Sequence, residues 1–115
     1  DQFPRNMFRD DARSFATDPL SLNIAKLAVG GGMDRELSEQ QRHFLYMPFM
    51  HSEALADQDR SVELFAQLEN KQALKFAKEH RDMIVRFGRY PHRNAVLGRE
   101  STPEEKEAIA DGAGW

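Results

Sequence analysis

Residues 71–88 read KQALKFAKEHRDMIVRFG. Ala73, Ala77, Ile84 and Phe87 return at intervals that place their side chains on one face of an α-helix. Gly88 follows where a helix closes in a left-handed turn, a conformation that glycine adopts without a Cβ clash. The spacing predicts a helix from about Lys71 to Phe87. His80 is out of character on that stripe, standing between Phe76 and Ala77 before it and Ile84 and Phe87 after it. A histidine so placed faces either the core, as a hydrogen-bonded structural residue, or a cleft, as a proton carrier. Asp82 points elsewhere around the helix and is not its partner.

The helical spacing extends in both directions from this segment. Phe8, Ala12, Phe15 and Ala16 form a short stripe after Pro4. Asp18-Pro19 reads as an N-cap and first helical residue, because proline's fixed φ suits a position whose N–H is not needed. Leu20, Ile24, Leu27 and Ala28 are the expected buried face of that helix, and Gly30-Gly31-Gly32 its stop. A further helix is expected from Ser38, with Leu37, Gln41, Phe44 and Leu45 on one side, ending before Pro48. Another begins around Ser52-Glu53, where Ser52 is the expected cap, and carries Leu55, Val62, Phe65 and Leu68. Ser101-Thr102-Pro103-Glu104-Glu105 is a strong start signal, with a hydroxyl cap, a first-turn proline and acids against the positive end of the helix dipole. Valine, isoleucine and threonine are scarce, and no alternating run is long enough for a sheet. The fold class is all-α: antiparallel helix pairs in a tetratricopeptide-like array or bundle of about six helices, within one domain spanning residues 1–115.

Composition narrows the function classes. The 115 residues include no cysteine, which excludes disulfides, thiolate nucleophiles and cysteine zinc sites and favours a reducing, cytoplasmic setting. A net charge of −3 argues against a nucleic-acid partner, whose binder is usually basic. No apolar run approaches the roughly 20 residues of a membrane helix. The chain opens Asp1-Gln2-Phe3-Pro4 with no initiator methionine, so further residues are expected upstream. His43, His51, His80 and His92 lack metal-ligand spacing, and Gly30-Gly31-Gly32 lacks the lysine and hydroxyl of a phosphate loop. No metal and no cofactor is expected.

Three irregular stretches carry the candidate chemistry. The longest, RFGRYPHRNAVLGR at 86–99, holds four arginines and a histidine without an acid, in an acidic chain. Arginine's planar fork suits bidentate grip of a carboxylate or phosphate, and a helix N-terminus follows at Ser101-Thr102. The ordinary alternative is a solvated charge run paired with nearby acids. YMPFMHSE at 46–53 is a methionine-rich segment in which the apolar residues plug a turn and His51 and Glu53 stand out. DQFPRN at 1–6 is a polar entry to the first helix.

Taken together, DQFPRNMFR (1–9), FLYMPFMHSE (44–53) and HRDMIVRFGRYPHRNAVLGRESTPEE (80–105) resemble a bacterial family, the domain-of-unknown-function family numbered 924. The resemblance implies an all-α array of antiparallel helix pairs near the tetratricopeptide-like superfamily, and it implies no reaction. Members of that family carry further helices before the DQFPRN string. The repeat spacing of true tetratricopeptides is absent, so a peptide groove is not implied.

The segments that carry the resemblance are also the irregular ones. The expectation is one polar cleft for a small anionic metabolite, bearing a carboxylate or phosphate. Arg5, Arg86, Arg93 and Arg99 would grip the ligand, Asn6 and Asn94 would orient it, and His51, His80, His92 and Glu53 would move protons if the protein is an enzyme. The other class is a scaffold, in which the polar cluster is a satisfied network and exposed helix faces meet a protein partner or a second copy. Geometry discriminates the two: open and unmatched groups favour a ligand, and buried, mutually satisfied ones favour a scaffold.

Overall fold

The computed structural model describes residues 17–112. Among them five α-helices follow one another with no strand: α1 (Pro19–Gly30), α2 (Glu39–His51), α3 (Leu55–Ala66), α4 (Lys71–Phe87) and α5 (Pro103–Ala110). Two 3-10 turns, Met33–Glu36 and Pro91–Arg93, interrupt the connections after α1 and α4. The helix expected over Phe8 to Ala16 lies outside the described residues.

The starts of α1, α2, α4 and α5 are each set by a side chain that meets amides with no partner inside their own helix, whereas α3 begins after Ala54 without one. The carboxylate of Asp18 accepts from Leu20 N at 2.9 Å, and Asn70 Oδ1 accepts from the amides of Gln72 and Ala73. Ser38 with Gln41, and Thr102 with Glu105, form reciprocal capping boxes. Gly88 closes α4 at φ 75°, where a Cβ would be strained.

Short connections fold α2, α3 and α4 onto one another, and α1 packs on α2. The core gathers Tyr46, Phe49 and Met50 of α2, Leu64 and Phe65 of α3, Leu68 just beyond it, and Ala73 and Ala77 of α4, with Ala25 of α1. Their apolar burial is the main stabilising term of the fold. The Tyr46 hydroxyl donates to buried Asp34, tying the first 3-10 turn to α2; burial and this bond push the tyrosine pKa up to about 12. Lys26 reaches Asp57 at 3.0 Å and links α1 to α3.

Three local expectations are corrected. The α1 face is rotated: Leu20, Ile24 and Leu27 are 63%, 49% and 76% exposed, while Ser21 and Ala25 are buried and Leu22 and Val29 pack partly against the core. Second, α2 does not stop before Pro48 but runs through it to His51, with Pro48 buried in its last turns. Third, Ser52 does not cap α3. It closes α2, and its hydroxyl accepts from Ala54 N at 3.2 Å and donates to Asp57 at 2.6 Å.

Candidate functional site

The C-terminal end of α2 leaves backbone carbonyls without helical partners, as any helix end does. Two buried side chains from distant sequence meet them. Gln58 of α3 donates through Nε2 to Met50 O and Ser52 O, both at 2.6 Å. The Tyr90 hydroxyl, arriving from the segment after α4, donates to Met50 O at 2.5 Å and lies 2.6 Å from Gln58 Nε2. Tyr90 is therefore anchored by its oxygen under the end of α2, and its ring becomes a fixed platform.

A salt bridge holds the Tyr90 backbone from the other side. Glu53, two residues beyond α2, accepts from Arg99 Nη1 at 3.0 Å and Nη2 at 3.1 Å, and from Tyr90 N at 2.6 Å. Arg99 also donates to Tyr90 O and, through Nε, to Asn94 Oδ1 at 2.9 Å, while Asn94 donates to Ser101 Oγ at 3.1 Å. Burial works to raise the Glu53 pKa, but the Arg99 and Tyr90 hydrogen bonds and the charges of Arg99 and Arg93 outweigh it and hold the carboxyl below its usual range. Arg89 is matched as well: its fork meets Glu105 at 2.8 and 2.9 Å and the Glu100 carbonyl at 2.7 Å. That bond and the Thr102 amide bring the Glu105 pKa down to about 2. The helix N-terminus at Thr102 is thus occupied by the protein's own carboxylate.

Three histidines and an arginine surround the Tyr90 platform. His80 meets the Tyr90 ring edge-to-face at 5.7 Å, and His51 meets His80 the same way at 5.4 Å. His92 lies 5.7 Å from Tyr90, and the Arg93 guanidinium sits 4.6 Å from the Tyr90 ring centroid. Within α4, His80 Nδ1 lies 2.6 Å from Phe76 O, so Nδ1 carries the hydrogen and Nε2 the lone pair. Burial, reinforced by the charges of His92 and Arg93, brings the His80 pKa down to about 4 despite that bond. Burial and Arg93 lower His92 too, against the opposing pull of Glu53. Both imidazoles are neutral at pH 7.

Arg93 differs from its neighbours. It is half-buried, and among the described residues its guanidinium makes neither a hydrogen bond nor an ion pair. Burial works against its charge, and Glu53 supports it only through space.

Of the residues expected at the site, the structure gathers His51, His80, His92, Glu53, Arg93, Asn94 and Arg99 around Tyr90. Arg86 is exposed and stacks on its neighbour Phe87 at 4.6 Å. Arg5 and Asn6 lie outside the described residues. Sequence reasoning passed over Tyr90 and Gln58, which organise the cluster. A tyrosine at the head of a proline turn was the one available signal for the first; nothing in the sequence marks the second. Among the described residues no group of three or more metal-ligating side chains converges, and no helix is long and apolar enough to cross a membrane.

Residues 1–113 match the family described as "Bacterial protein of unknown function (DUF924)". The chain is also similar to a solved structure of a protein of unknown function from Agrobacterium tumefaciens, with 48% identity and a TM-score of 0.80. That likeness covers 97% of this chain and 63% of the other, so this chain spans less than two thirds of the solved relative. No curated protein matches the chain.

Proposed function

Because the chain belongs to this bacterial family, DUF924, whose description assigns no reaction, we propose its role from its own geometry: it binds a small carboxylate- or phosphate-bearing ligand at Arg93, beside the histidine–tyrosine cluster. One observation carries the reading. Arg89, Arg93 and Arg99 lie in one segment, and two of them are matched bidentately by Glu105 and Glu53 while Arg93 keeps its N–H fork free of described partners. A partly desolvated guanidinium fixed on a ring is pre-organised for an anion.

The scaffold reading fits the other half of the cluster. Glu53, Arg99, Asn94 and Ser101 satisfy one another and position Tyr90; they are positioning residues in this proposal. His80 is poorly suited to be a general base. A general base works best with a pKa near the working pH, and burial brings His80 down to about 4. Neutral imidazoles beside Arg93 suit a polar wall that accepts or donates hydrogen bonds to the ligand.

The test is a thermal-shift titration with phosphate, sulfate and small carboxylates at constant ionic strength. Wild type should show saturable stabilisation by at least one of these anions. Arg93→Lys keeps the charge but loses the fork, and should lose about 1.5–3 kcal/mol of that binding while the free protein melts nearly unchanged. Equal, shallow responses from both proteins would return Arg93 to the surface charges.

A further inference from the structure

An apolar cleft of about 210 Å³ lies against the histidine cluster. Met47 and Met50 of α2 and Ala73 and Phe76 of α4 form its largely hydrocarbon wall, and three histidines, His43, His51 and His80, complete it. His80 therefore belongs to two surroundings at once. It lines the cleft, and its ring rests against Tyr90, which carries Arg93 on its π system. The distance from the His80 ring to the guanidinium cannot exceed the 5.7 Å and 4.6 Å steps laid end to end.

We propose that the ligand is amphipathic, a carboxylate or phosphate carried on a compact apolar group of about phenyl size, with its apolar group in the Met47–Phe76 cleft and its anion at Arg93. This deepens the anion reading and rests on it. Three features select such a molecule over a free inorganic anion or a sugar phosphate. The cleft offers room for a benzene-sized ring and few polar atoms to satisfy a hydroxylated one. Its methionines are flexible, polarisable side chains that pack against ring edges. The His80 imidazole, which lines the cleft and rests on the ring that carries Arg93, fits the boundary between apolar body and charged head.

The probes are 3-phenylpropionate, acetate and the neutral 3-phenylpropanol, titrated by calorimetry at constant ionic strength. Wild type should bind phenylpropionate at least about tenfold more tightly than acetate, since a ring leaves water for the cleft. It should also bind phenylpropionate more tightly than phenylpropanol. Ala73→Leu fills the cleft and should reduce the phenylpropionate-to-acetate ratio below about threefold with acetate affinity unchanged. Ala73 is buried, so that variant can fail to fold; Phe76→Ala, at a side chain 41% exposed on the cleft's edge, should then lower phenylpropionate affinity at least about threefold. Absence of saturable binding by acetate, phosphate and phenylpropionate alike would overturn the anion reading and this inference with it. Saturable acetate binding with phenylpropionate within threefold of it would overturn this inference alone. Phenylpropanol binding as tightly as phenylpropionate would show a cleft independent of Arg93, and would also overturn it.

Discussion

Burial holds His80, 3% exposed, neutral down to a pKa of about 4, against 6.5 for the unfolded chain. As pH falls the unfolded chain takes up the proton first, so this contribution to stability is complete above about pH 6.5 and is lost between there and about pH 4. At about 1.4 kcal/mol per pH unit, the part lost between pH 7 and pH 5 is on the order of 2 kcal/mol. His43 and His92 are lowered in the same sense and add to the fall, whereas Glu53 and Glu105 titrate further into acid. Urea unfolding at pH 7 and pH 5 should therefore show wild type losing more stability than His80→Phe, by roughly that amount. Parallel losses in the two proteins would mean that His80 does not titrate as described. The same residue shows what a sequence conceals. Its place on the α4 stripe was legible from the spacing of Ala73, Ala77 and Ile84, but its partners come from α2 and from the segment after α4. Likewise Arg89, Arg93 and Arg99 are alike on paper. Only the fold, by delivering Glu105 to the first and Glu53 to the last, separates the two matched cations from Arg93, which has no ion-pair partner among the described residues.

Helix α2 is the element on which sequence and structure part most instructively. Pro48 lacks the N–H that an interior helical position donates, so a stop before it was the natural expectation. The helix continues because its end is supported from outside, by Gln58 on Met50 O and Ser52 O and by the Tyr90 hydroxyl on Met50 O. Gln58→Leu keeps the volume but removes the donors, leaving buried carbonyls under-satisfied. It should cost about 1–3 kcal/mol in chemical denaturation, and it should loosen Tyr90 as well. A variant as stable as wild type would show that α2 needs no such support. Elsewhere the element scale was well read: Asp18-Pro19, Ser38, Thr102-Pro103 and Gly88 carry local chemistry that acts within one turn. The α1 face was misjudged because hydrophobicity alone chose Leu20, Ile24 and Leu27. The side that faces the molecule carries the small residues Ser21 and Ala25 instead.

Across the molecule, a net charge of −3 coexists with an arginine-rich segment in which Arg89 and Arg99 are neutralised internally and Arg86 is exposed. What remains is one partly desolvated cation on an aromatic platform, next to neutral imidazoles and an apolar cleft. None of these features was assembled by a local motif; α2, α3, α4 and the turn Pro91–Arg93 each supply a part. The most direct measurement follows the arginine Nε–Hε resonances by two-dimensional NMR while phosphate, and separately 3-phenylpropionate, is added at constant ionic strength. A saturable shift is expected at Arg93 for the anion that binds, with Arg86, Arg89 and Arg99 nearly unmoved. Small, linear, unsaturated shifts shared by all four arginines would contradict it.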